Sequence, residues 1–116
     1  KITDAGAKAI ASSDTLTQLT ELNLDYNLIT GPGAIELTRS KKLRQLHKIQ
    51  LAYNPIEKSG KRAWKRFQLM EWFKDLHRNN RLNQAGESLI GDFGVMVLLD
   101  FPFVSELETL DLKNNG

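Results

Sequence analysis

The chain has 116 residues, of which 16 are basic and 14 acidic, for a net charge of +2. That length holds one domain or a slice of one, and a hydrophobic content of 41% excludes both a disordered chain and a membrane-spanning one. Cysteine is absent, which excludes a disulfide framework, a cysteine-held zinc and a thiol nucleophile. The near-neutral charge gives no reason to expect nucleic acid, and no segment has the order of a signal peptide. The longest apolar run, Val95 to Leu99, is far short of the roughly 20 residues of a transmembrane helix.

Leucine is the abnormal residue, with 18 copies, and its spacing matters more than its number. An offset of 27 residues places Ile2 on Ile29, Gly6 on Gly33, Ala7 on Ala34, Ile10 on Leu37 and Leu16 on Leu43. It also places Leu19 on Leu46, Leu22 on Ile49, Leu24 on Leu51 and Asn27 on Asn54. Nine positions fall on the same frame again at an offset of 88, from Ile90, Gly94, Val95 and Leu98 to Leu107, Leu110, Leu112 and Asn115 by way of Val104. An internal repeat governs the fold wherever one exists. The frame predicts units at 2–28, 29–55, 56–89 and 90–116, the third of them degenerate.

Each unit predicts a helix and then a short strand. Ala7, Ile10 and Ala11 recur at helical spacing. Thr3 or Asp4 suits the start of that helix, as Thr30 does in the second unit, with Pro32 in its first turn. The glycines Gly6, Gly33, Gly60 and Gly94 leave room for close approach of a neighbouring unit. Leu19, Leu22 and Leu24, and their equivalents, alternate as a strand does. The third unit keeps Ile56 and Gly60 and puts Trp64 in the place of Ile10. It then loses the frame. Trp64, Phe67, Met70, Phe73 and Leu76 recur every three residues, which predicts a longer amphipathic helix over residues 61–77. The polar stretch 78–88 after it predicts a mobile loop. One unit cannot bury its apolar face alone, so the units are expected to stack.

The motif L-x-x-L-x-L-x-x-N at 19–27, 46–54 and 107–115, with I-x-x-x-G at the unit starts, resembles the leucine-rich repeat family, in its ribonuclease-inhibitor-like subfamily. The resemblance implies an α/β solenoid of about four repeats with a concave parallel sheet and convex helices. It implies that Asn27, Asn54 and Asn115 bond backbone groups at the turn after each strand. Because both ends are in phase with the repeat, the chain reads as a piece of a longer array. Family resemblance alone does not fix a function.

Equal positions of stacked units form columns on the outer face of the sheet. The expected partner-binding residues are Glu21, Asn23, Asp25 and Tyr26 in the first unit, Lys48, Gln50 and Tyr53 in the second, and Asp111 and Lys113 in the last. Tyr26 and Tyr53 share one column, and tyrosine is a frequent interface anchor. Basic clusters at 39–48 and 58–66 suit a solvated helix-side face, with phosphate, an anionic membrane or an acidic protein as the functional reading.

Catalytic chemistry has little to stand on. His47 and His77 are the only histidines, 30 residues apart, and neither sits in a metal-binding motif. The letters GDFG at 91–94 fall on a repeat start and lack the other parts of a kinase. We therefore expect no enzyme, no catalytic residue, no metal, no cofactor and no small-molecule substrate. The expected function is a cytoplasmic protein-binding module in a scaffold, sensor or cytoskeletal or ciliary assembly. The alternatives are a GTPase-activating regulator, for which Asn80 and Arg81 loosely supply an Asn/Arg pair, and an electrostatic binder of nucleic acid or anionic surfaces.

Overall fold

The computed structural model describes residues 1–115. In chain order they form helix α1 (Asp4–Ala11), strand β1 (Glu21–Asn23), helix α2 (Gly31–Thr38), strand β2 (Lys48–Gln50) and helix α3 (Lys58–Arg78). A 3₁₀ turn at Leu82–Glu87, helix α4 (Gly91–Leu99) and a 3₁₀ turn at Val104–Glu106 follow. The chain divides into two compact units, Lys1–Phe67 and a second from Gln68 onward.

In the first unit β1 and β2 pair in parallel, with Glu21 beside Lys48, Leu22 beside Ile49 and Asn23 beside Gln50. The register is the 27-residue offset of the sequence. The inward residues Leu24, Ile49 and Leu51 share a core with Ala7 and Ala11 of α1 and Ala34 and Leu37 of α2. Fully burying Ile29, Leu37 and Leu51 contributes about 2 kcal/mol each.

The repeat extends to single hydrogen bonds. Ser13 Oγ accepts the Leu16 amide at 3.2 Å, and Ser40 Oγ accepts the Leu43 amide at 3.3 Å. Ser40 also donates to the Ala11 carbonyl at 2.6 Å, tying one turn to the next. Helix starts use a different device from the one expected. Thr3 and Thr30 hold the N-cap positions without a side-chain capping bond. Instead Asp4 receives the Thr30 amide at 2.7 Å and the Thr30 hydroxyl. Two glycines sit against backbone: a Cβ at Gly60 would lie 2.6 Å from the Gly31 Cα, and one at Gly86 would clash with the Asp111 carbonyl oxygen. Gly6 and Gly94 face only Ile2 and Ile90 of their own helix starts.

The second unit has a separate core of Leu69, Phe73, Leu76, Leu82, Ala85, Ile90, Val97, Leu98 and Phe101. Here two expectations are corrected. Residues 107–112 form no strand, and Leu110 and Leu112 are exposed at 38% and 40%. A strand needs a neighbour for its peptide groups; residues 56–89, expected to supply one, form α3 and a 3₁₀ turn and no strand. The sheet therefore has two strands among the described residues, in place of the four rungs expected. Segment 78–88 is likewise no loose loop. It folds as a 3₁₀ turn whose Leu82 and Ala85 are buried. The left-handed Asn80 (φ 56°) ends α3, with the Arg81 amide reaching back to the Leu76 carbonyl at 2.8 Å.

The last unit nonetheless keeps its turn. Asn115 donates to the Gly86, Leu112 and Lys113 carbonyls and accepts the Gly91 amide. Asn54 does the same with Leu24, Leu51, Ala52 and the Ile29 amide.

Candidate functional site

The outer face of the two-stranded sheet gathers seven of the nine expected residues. Alternation along β1 and β2 sends Leu22, Leu24, Ile49 and Leu51 inward, which leaves Glu21, Asn23, Lys48 and Gln50 outward. Glu21, Asn23 and Lys48 are exposed and Gln50 is half-buried. His47 stands at the same edge, exposed, with Nε2 3.9 Å from a Glu21 carboxylate oxygen.

Two residues of this face have structural duties. Asn23 Oδ1 accepts the Asp25 amide at 3.0 Å. Asp25 Oδ1 in turn accepts the Ala52 amide at 2.8 Å, stitching the two repeats beyond the end of the strands. Asp25 is half-buried and is a bridge as much as a contact residue.

Tyr26 and Tyr53 follow at the ends of the strands. Their rings stack with centroids 4.4 Å apart and planes 9° from parallel. They are 62% and 73% exposed, so the pair is a flat aromatic platform facing solvent. Their backbones occupy the left-handed region, at φ 59° and 58°. That geometry belongs to the repeat, because Asn114, at the equivalent position of the last unit, has φ 59°. Asparagine or glycine fits there at low cost, whereas a bulky side chain is strained. The two tyrosines thus sit, exposed, where a cheaper residue would serve the fold. The Lys1 ammonium donates to the Tyr26 carbonyl at 2.9 Å.

A match to the leucine-rich repeat family model covers residues 15–37. That stretch is similar to a leucine-rich repeat. It holds β1, Tyr26 and all of α2 but its last residue. No curated protein and no solved structure matches the chain.

Asp111 and Lys113 lie in the second unit and in no strand. The column expected to include them is not formed there. They pair with each other at 3.2 Å, and the Lys113 amide donates to Asp111 Oδ1 at 2.9 Å, the same turn that Asn23 makes with Asp25. These bonds hold the Asp111 carboxyl below its ordinary range, the Lys113 amide contributing most.

Two features escaped the sequence reading. In the first unit the Trp64 indole donates to the Ile49 carbonyl at 2.8 Å. Its place in the repeat frame marked it as apolar packing; the signal was that tryptophan, unlike the Ile10 and Leu37 it replaces, carries a donor. In the second unit His77 stacks on Phe103 with centroids 4.1 Å apart and approaches Glu106 at 3.3 Å. Both line a polar hollow with Asn80, Asn83 and Glu108. The aromatic pair Phe101 and Phe103 flanking Pro102 was the only sequence sign of it.

In the basic cluster at 39–48, Lys41, Lys42 and Arg44 share a shallow pocket with Ser13, Asp14 and Thr17. Lys42 bonds Asp14 at 2.5 Å, and this hydrogen bond chiefly holds the Asp14 carboxyl below its ordinary range. Among the described residues no group of histidines and carboxylates could hold a metal ion, and no helix is long and apolar enough to cross a membrane.

Proposed function

We propose that the chain is a non-enzymatic protein-interaction module that binds a protein partner through the outer face of its repeat sheet. Tyr26 and Tyr53 are the anchors, with Glu21, Asn23, Asp25, Lys48 and Gln50 as the polar surround. The single observation that carries this reading is the stacked, exposed tyrosine pair in left-handed backbone. Strain that the fold does not need collects where function uses it. Tyrosine supplies large contact area with few rotatable bonds, as interface hot spots do.

Leucine-rich repeats commonly serve protein binding, which supports the same reading. The ribonuclease-inhibitor-like subfamily, units at 2–28, 29–55, 56–89 and 90–116 of which only the first two supply strands, and a cytoplasmic scaffold, sensor or cytoskeletal or ciliary role are parts of this proposal. Asp111 and Lys113 are not carried into it, since they share no strand with the anchors.

The test is affinity capture from the source lysate with the wild-type chain and with a Tyr26→Asn/Tyr53→Asn variant. Asparagine keeps the left-handed backbone and removes the platform. A protein held by the wild type and lost from the variant supports the reading. Identical capture by both rejects the tyrosine face.

A further inference from the structure

A hollow of about 250 Å³ opens between the two loops that run from helix to strand in the first and second repeats. Ser13, Asp14 and Thr17 form one wall, and Lys41, Lys42 and Arg44 form the other. All six belong to the first compact unit, and the hollow takes nothing from either end of the chain. Both walls are held by the same device of the repeat. Ser13 Oγ accepts the Thr15 and Leu16 amides at 3.2 Å each. Ser40 Oγ accepts the Leu43 amide and donates to the Ala11 carbonyl, while the buried Leu43 anchors the second loop in the core. The hollow is therefore shaped before a ligand arrives. Its charge is lopsided. Asp14 takes Lys42, but among the described residues Lys41 and Arg44 have no carboxylate partner. Three cations against one carboxylate leave two positive charges in excess. The half-buried Thr17 likewise has no hydrogen bond to its hydroxyl among the described residues.

We propose that this hollow binds a phosphate monoester, carried on a phosphorylated serine or threonine of a protein partner. Such a phosphate brings about 1.5 to 2 negative charges and three acceptor oxygens. That matches the two excess charges and the donors of Lys41, Lys42 and Arg44. A carboxylate brings one charge and leaves a cation bare. The volume is that of about eight waters. It admits a tetrahedral group and falls below the roughly 300 Å³ at which sites for whole small molecules begin. Nucleic acids and membranes fit less well. They reward rows of cations free of carboxylates, and bases need an aromatic ring to stack on. Here Asp14 stands among the cations and no aromatic residue lines the hollow. A side chain delivers one phosphate alone. A protein as the carrier rests on the interaction-module reading; the phosphate site does not, and it shares no residue with the tyrosine platform.

The probe is acetyl-Ala-phosphoserine-Ala-amide, titrated into the wild-type chain and followed by amide NMR shifts. Saturable shifts should appear at residues 13–17 and 41–44, with a Kd of about 1 mM. The unphosphorylated peptide should give none. Lys41→Gln/Arg44→Gln changes two exposed side chains and should weaken binding at least about tenfold. Asp14→Asn removes the one opposing charge and should bind at least as tightly as wild type. Phosphatidylserine vesicles and a single-stranded RNA, at the same phosphate concentration, should leave both loops unmoved. No shift there at about 10 mM phosphopeptide overturns the proposal, as does an equal response to the unphosphorylated peptide or an unweakened double variant. Vesicles or RNA that shift the two loops as far as the phosphopeptide overturn the assignment to a protein side chain. Substituting Tyr26 and Tyr53 should alter none of these results, so failure of the tyrosine face and failure of this site are told apart.

Discussion

The Asn54 side-chain amide donates to the Leu24 carbonyl at 2.9 Å, across 30 residues of sequence. The same amide group closes its own turn on Leu51 and Ala52, while its oxygen takes the Ile29 amide at 3.0 Å. One side chain therefore satisfies backbone groups of two successive repeats, in a half-buried site where water cannot fully replace it.

From this, Asn54→Ala should cost about 2–3 kcal/mol, the penalty of leaving buried peptide groups unpaired. Asn54→Asp should cost at least as much, because it turns a donor facing three carbonyls into an acceptor. Asn23→Ala removes one exposed local bond and should stay within about 0.5 kcal/mol. Urea unfolding followed by circular dichroism measures all three.

Gly60→Ala should destabilise by about 1–3 kcal/mol, although alanine is the better helix former. Its Cβ would press on the Gly31 backbone, which cannot move without disturbing α2. Gly31→Ala should cost less, since there the obstacle is the flexible end of Glu57. Thermal melts of the two variants give the order directly.

The Asp14 carboxyl is held below its ordinary value of 3.8 by the Lys42 hydrogen bond first and the Lys42 charge second. A depressed carboxyl favours the folded state above its unfolded value, and the benefit fades as pH falls through the folded value. Lys42→Ala should therefore return the Asp14 titration toward 3.8, as read by NMR. Both groups are solvent-exposed, so stability near neutral pH should hardly change on Lys42→Ala. An Asp14 titration unaltered by that substitution would show the pair to be unimportant.

Much of this was legible in the sequence, and for a physical reason. A constant 27-residue offset fixes which residues become neighbours, so the pairing of Leu22 with Ile49 and the side-by-side placement of Tyr26 and Tyr53 could be read by counting. The turn asparagines were implied by the family resemblance, and a carboxamide suits the site because it offers two donors beside an acceptor. What defeated the reading was the region where the frame lapses. Leu107, Leu110 and Leu112 keep the letters of a strand, but pairing is a property of two segments, and the neighbouring one became α3 and a 3₁₀ turn. The left-handed backbone of Tyr26 and Tyr53 was hidden for a related reason. Only Asn114, at the third copy of that position, hinted at it.

The central claim is that Tyr26 and Tyr53 are held exposed for a partner at no benefit to the fold. Replacing both by asparagine relieves left-handed strain of roughly 1–2 kcal/mol at each position and gives up one ring stack of about 1 kcal/mol, so the fold loses nothing. Titration calorimetry of the captured partner against both proteins, with urea unfolding alongside, measures the claim most directly. The account predicts stability equal to wild type or up to about 3 kcal/mol above it, and an affinity at least about tenfold weaker. Unchanged affinity in a variant at least as stable as wild type would contradict it.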